Sequence, residues 1–287
     1  KLNLSFFRII ISHPNHNRHS ANEIVNMNIL PQLIYFITCK HSEELQLDSL
    51  HILSSLTCLA SYCIPNLVES NIISLLVNLT KHENEEISEI SAHILGFIAS
   101  YSIVFRDLII SSNALSCLSS NYRSSISSME YAIFAISCLC NSDPCPPFHE
   151  LHVVVPFLLK VIFKQKKSSC ITEHHGCLSH LDLTVRTVYR EDAEDSNRDT
   201  ESEMNSYDFD DEDEEDEEFR VKTFHILNRI IFSVSNSLEV KCLLDYDILN
   251  YFEWIIQKFR YIALVHDMIQ CFLHLYPPIS SIIDERF

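Results

Sequence analysis

The residues with the greatest chemical potential in this chain are ones that return at a fixed interval. His51 and His93 stand 42 residues apart, and His225 falls at the corresponding place further on. Imidazoles change charge between pH 5 and 8, so a row of them along one surface would titrate together. The bland reading is half-exposed polar replacements. Four residues after each histidine come Ser55, Phe97 and Arg229, and between them in the series lie Phe134 and Cys138. Hydroxyl, ring, thiol and guanidinium groups in such a row suit contact with an extended peptide, apolar or differently charged, rather than a reaction. No Gly-rich phosphate loop, nucleophile elbow or pair of carboxylates on a rigid element accompanies them. We expect no enzyme and no cofactor. A second group, Cys170, His174, His175, Cys177 and His180, has metal-ligating residue types but fits no common zinc spacing. No metal is assigned to it.

The elements that would position this row repeat with it. Asn28, Asn71 and Asn113 each precede an apolar stretch, at intervals of 43 and 42 residues, and Ser55, Phe97 and Cys138 mark the same repeat at 42 and 41. A period of that length is the signature of stacked helices in a solenoid. Leu47, Leu50, Leu53 and Leu56, then Ile87, Ile90, Ile94 and Ile98, then Met129, Ile133 and Ile136 follow helical spacing. Each block reads as a short helix, a turn, a second helix and a long third helix. Second helices are expected over 29–37, 72–79, 154–163 and 248–256. Asparagine tolerates positive φ better than most residues, which lets the turns form in a chain with 2 glycines. Asp247 fits the same turn position.

Composition bounds the partners. The net charge is −18, yet 17 acidic residues and one basic residue lie between Glu191 and Glu218, leaving the remainder nearly neutral. No basic stripe for nucleic acid is present. The acidic run from Asp208 to Glu218 reads as a solvated, disordered tract, or as a lure for basic cargo or the chain's own groove. We expect repeats over 1–164, an inserted loop over 165–218 that is acidic and disordered toward its end, and further repeats over 219–287. Eleven cysteines scattered along apolar helices, Cys58, Cys117, Cys138 and Cys271 among them, read as reduced core thiols. The longest apolar run, near 153–163, is too short for a membrane span. A soluble intracellular protein is expected. Lys1 followed by a helix under way at Leu4 reads as a truncated start.

Several phrases carry a family resemblance. Phe7-Arg8-Ile9-Ile10-Ile11-Ser12-His13-Pro14-Asn15 opens the chain, Leu45-Gln46-Leu47-Asp48 and Ile87-Ser88-Glu89 open third helices, and Phe105-Arg106-Asp107-Leu108-Ile109-Ile110 precedes Asn113-Ala114-Leu115. Ser137-Cys138-Leu139-Cys140 leads into Pro144-Cys145-Pro146-Pro147-Phe148. In this order they resemble the importin alpha (karyopherin alpha) armadillo-repeat family, a divergent member or fragment. The resemblance implies an all-α, right-handed superhelical solenoid and an adaptor in nuclear protein import, working in cytoplasm and nucleus. It also implies cargo peptides in the concave groove, and importin beta as partner if a basic N-terminal segment exists in the full-length protein.

The family's groove uses a Trp and an Asn one turn apart on successive third helices. By the resemblance, His51 and Ser55, His93 and Phe97, and Phe134 and Cys138 occupy those places here. His225 and Arg229 stand for Trp and Tyr, Gln270 and His274 for Arg and Asn, and Ser100-Tyr101 for Gly-Asp. Each lost net hydrogen bond is worth roughly 0.5–1.5 kcal/mol and each lost cation–π contact about 0.5–2 kcal/mol. Over three repeats the deficit passes about 4 kcal/mol, a thousandfold in affinity. Basic nuclear localisation signals are therefore expected to bind weakly or not at all. The alternative is an armadillo scaffold that binds a different protein and has no signal-receptor activity.

Overall fold

The computed structural model describes residues 4, 18–38, 42–120, 126–141, 143–163, 211–246, 248–258, 270–271 and 273–275, the side chains of 126–127, 211–220 and 254–258 excepted. Among them every regular element is helical. The order is α1 (Arg18–Asn26), α2 (Leu30–Thr38), α3 (Glu43–Leu59), α4 (Ile64–Glu69), α5 (Ile72–Leu79), α6 (Glu85–Tyr101), α7 (Ile103–Ser111), α8 (Ala114–Ser120), α9 (Ile126–Cys140), α10 (Phe148–Leu151), α11 (Val155–Phe163), α12 (Asp211–Phe232), α13 (Ser237–Asp245) and α14 (Ile248–Lys258). The three-helix block expected from periodicity is seen three times among the described residues, as α1–α2–α3, α4–α5–α6 and α7–α8–α9.

Asparagine does what the turn requires. Asn28, Asn71 and Asn113 have φ of 54°, 58° and 62°, the left-handed region that glycine would otherwise supply. Each asparagine N–H closes the preceding short helix on a carbonyl three residues back, Val25, Val68 and Ile110. Position 247 lies outside the described residues.

The third helices begin on side-chain caps. Ser42 Oγ accepts from the Leu45 N–H and Asn84 Oδ1 from the Ile87 N–H, satisfying donors that the helix leaves open. Glu43 and Glu44, then Glu85 and Glu86, fill the first turns, where the helix dipole favours negative charge. Leu50, Leu53 and Leu56 on α3, Ile87, Ile94 and Ile98 on α6 and Ile136 on α9 are fully buried. α6 packs between α3 and α9, and every residue from Ser91 to Ala99 is buried.

The chain divides into two compact units, Lys1–Phe163 with Asp216–Phe287, and Lys164–Glu215. α12 begins at Asp211, inside the stretch assigned to the loop. Glutamate is a good helix former, and acidic residues suit a helix's first turns, so this end of the acidic run propagates a helix. Residues 164–210, with the Cys170–His180 group and most of the acidic tract, lie outside the described residues. Leu264, Met268, Ile269 and Phe272 do too, while Cys271 and Leu275 are buried. No single helix among the described residues is long and apolar enough to cross a membrane.

Candidate functional site

The expected row of residues sits on α3, α6, α9 and α12, with its last members at 270 and 274. Because α6 lies against both α3 and α9, side chains spaced by three, four and seven residues meet in rungs between helices. His51 Nε2 lies 2.8 Å from Glu86 Oε1. One turn along, Ser54 Oγ lies 2.9 Å from His93 Nδ1. Ser55 is half-buried.

Between α6 and α9 the rungs are aromatic. The His93 ring is 4.6 Å from that of Phe97, 5.4 Å from Tyr131 and 5.1 Å from Phe134, with Phe97 and Phe134 5.5 Å apart. His93 and Phe134 retain 8% exposure each and Phe97 6%. The edge and tilted arrangements set positive ring edges toward negative faces, the favourable geometry for such rings. Gly96 explains how Phe134 comes so close. A Cβ there would lie 2.6 Å from Phe134 Cε1 and 2.9 Å from Cδ1, so the ring rests on the bare backbone of α6. One turn of α6 and one turn of α9 are thus zipped together by their own side chains.

Cys138 closes this region. Its thiol is pushed up to about 11 from an ordinary 9.0 by burial, against which a hydrogen bond with Ser100 acts. The half-buried sulfur therefore stays protonated and is a poor ligand or nucleophile at neutral pH. Cys140, at the end of α9, is fully buried and its thiol is pushed up further by the same cause.

The later residues are arranged differently. His225 is exposed on α12, edge-on to Phe224 at 5.8 Å. Arg229 Nε donates to the Cys140 carbonyl at 3.1 Å, and its Nη2 donates to Asp143 Oδ1 at 2.9 Å. Arg106, on α7, grips the same loop by donating from Nη1 to the Pro144 carbonyl at 2.5 Å, while also pairing with Asp107. Gln270 is exposed. His274 Nε2 meets the Val234 carbonyl at 2.9 Å, its ring 5.4 Å from that of Phe232. Phe232 itself is 45% exposed.

The row therefore falls into a sealed central group, His93, Phe97 and Phe134, a start at His51 that is hydrogen-bonded to Glu86, and an open end around His225, Arg229, Gln270 and His274. Sequence reasoning did not single out Ser54, Glu86, Tyr131 or Asp143. Three of these were within reach, because Ser54, Glu86 and Tyr131 stand three or seven residues from His51, His93 and Phe134 on the same helical stripe. Asp143 gave no periodic signal, being in a loop. Among the described residues no group of three or more histidine, cysteine or carboxylate side chains is placed to hold a metal ion.

No family model matches the chain. It is 24% identical over 161 residues to importin subunit alpha-2 of Arabidopsis thaliana, covering 55% of this chain and 30% of that protein. Importin subunit alpha-1b of Oryza sativa subsp. japonica is 26% identical over 161 residues, with the same coverage. The chain thus spans about a third of the length of these curated relatives, 30% in each case. A crystal structure of an engineered protein superposes with a TM-score of 0.63 at 12% identity, covering 96% of this chain and 89% of that one. Computationally designed armadillo repeat proteins for modular peptide recognition give 0.62 at 13% identity, covering 94% and 91%. A designed armadillo repeat protein in complex with the peptide (KR)4 gives 0.59 at 13%, covering 94% and 90%. The fold is an all-α armadillo-repeat solenoid.

Proposed function

We propose that this chain, a divergent importin-alpha-like armadillo-repeat protein, binds a protein or peptide partner along its stacked third helices, with its central repeats closed to the lysine side chains of basic nuclear localisation signals. The observation that carries this reading is the His93–Phe97–Tyr131–Phe134 cluster, which fills from within the place where a lysine stem would lie. A cation admitted there would have to displace packed rings, at a cost comparable to making a core cavity, about 3 kcal/mol or more. Cation–π attraction returns about 2 kcal/mol in a desolvated site. Exclusion wins.

The relatives are importin alpha subunits, which supports a role in carrying cargo between cytoplasm and nucleus, with importin beta as the transport partner of the full-length protein. The closed centre supports, within that class, a cargo chemistry other than a run of lysines. Fluorescence anisotropy with a labelled lysine-rich signal peptide tests the central claim: no saturation below about 100 μM is expected, and a sub-micromolar dissociation constant overturns it. Pull-down of importin beta by the full-length product tests the transport role. Capture is expected; its failure leaves an armadillo scaffold serving another process.

A further inference from the structure

We propose that the open end of the row, around Arg229 on α12, takes a carboxylate of an acidic peptide, and that Asp143 occupies this place in the free chain. The inference rests on the reading of the third-helix face as the binding face. It concerns a different part of that face and the opposite charge.

Arg229 stands at a row position and already binds a carboxylate. Its planar fork suits carboxylate recognition, since several N–H groups point in fixed directions at one acceptor plane. Nε donates to the Cys140 carbonyl at 3.1 Å, which ties the guanidinium to the end of α9, while Nη2 donates to Asp143 at 2.9 Å. The guanidinium also hydrogen-bonds the Cys145 side chain. The two partners differ sharply in exposure, 35% for the Arg229 side chain and 91% for Asp143. The arginine is seated; the aspartate is not. An ion pair so exposed on one side contributes little, so a ligand carboxylate that adds contacts of its own can replace Asp143 at small cost.

The surroundings agree in charge. Across the stretch of α12 from Val221 to Phe232 there is no acidic residue, while Lys222, His225 and Arg229 follow one another at spacings of three and four, on one helical stripe. Glu218, the end of the acidic run, is eleven residues before Arg229, roughly 16 Å along the helix. That exceeds the Debye length of about 8 Å at physiological salt, so the repulsion of an acidic ligand by Glu218 is largely screened at Arg229. His274 and the exposed ring of Phe232 at the same end of the row supply a polar and an apolar neighbour for the residues flanking the bound carboxylate.

The test uses the full chain and a fluorescein-labelled hexaglutamate peptide in anisotropy titrations, beside the lysine-rich peptide. The expected result is saturable hexaglutamate binding that weakens as salt rises. Arg229→Gln should weaken it about tenfold or more. Asp143→Asn should tighten it about two- to fivefold, because the internal competitor is gone. This last direction is diagnostic, since a merely structural aspartate would weaken binding or leave it unchanged on substitution. Asp143 is so exposed that its variant tests the proposal even if Arg229→Gln fails to fold. No hexaglutamate binding up to about 1 mM, or an Asp143→Asn variant that binds no tighter than the parent, overturns the proposal. Sub-micromolar binding of the lysine-rich peptide would instead overturn the closure of the central repeats, so the two readings fail separately.

Discussion

The α6–α9 face and the α12 face carry equivalent positions of one repeat and have become opposites. On α6 and α9 those positions hold rings that bury one another to within a few per cent, while on α12 they hold His225, exposed, and Arg229, tied to an exposed aspartate. The difference lies less in polarity than in what each position must give up to meet a ligand. A buried ring cluster loses packing over many atoms when opened, whereas a guanidinium exchanging one carboxylate for another loses little. One half of the row is packed into the core; the other half keeps a surface.

The largest effects should come from breaking the sealed side. Phe134→Ala removes a ring that touches two others, His93 and Phe97, and leaves a cavity above Gly96, and it should cost about 3 kcal/mol or more of unfolding free energy in a denaturant titration. Gly96→Ala drives a methyl into the same ring and should cost about 1–3 kcal/mol, with α6 unable to yield because it is buried on all sides. In the double variant the costs should fall short of their sum, since each removes the same contact. Simple additivity would show that Phe134 does not depend on the bare backbone at Gly96.

Burial also sets a pH dependence. Desolvation pushes the fully buried Cys63 thiol up to about 11 from an ordinary 9.0. Between those values the unfolded chain has lost this proton and the folded chain has kept it, so unfolding releases a proton and stability falls as pH rises. The contribution is complete below pH 9 and disappears toward pH 11, with a slope of about 1.4 kcal/mol per pH unit. Stability of the Cys63→Ala variant followed from pH 8.5 to 11 should lack that slope; an unchanged slope would place the thiol in water.

The open side carries a packing fault that the sealed side lacks. Among the described residues, Asn228 Nδ2 and Tyr251 Oη are the buried side-chain atoms with no hydrogen-bond partner, and both belong to the later repeats. Burial drives the Tyr251 hydroxyl well above its usual range, with Cys271 adding to the effect. Tyr251→Phe deletes one orphan donor while keeping the ring and should stabilise the protein by about 1 kcal/mol in a thermal melt. A loss of stability would mean that the hydroxyl has a partner in solution. The smallest effect belongs to the entry of the row. Glu86→Gln breaks the His51 pair, but Glu86 is 49% exposed, so the cost at pH 6 should stay below about 1 kcal/mol.

Much of this architecture could be read along the chain. The asparagine turns were identifiable because one residue type at positive φ meets a local steric demand, and the third helices because leucines and isoleucines mark a helical stripe. The residues of the candidate site were legible as positions, but their condition was not. Nothing local says that His93 faces Ser54 thirty-nine residues earlier, or that Arg229 reaches a loop eighty-six residues before it. The helical start at Asp211 has no signal of its own along the chain, since a run of carboxylates reads as disorder until the helix that follows gives it something to extend.

The sequence by itself determined the repeat length, the turn chemistry and the helical faces, because each follows from residue type and spacing within one helix or turn. Only the tertiary structure decided which of those row positions are shut and which remain within reach of a ligand. That distinction depends on the stacking of helices some forty residues apart, where a missing Cβ at Gly96 admits a ring and an exposed Asp143 shares an arginine.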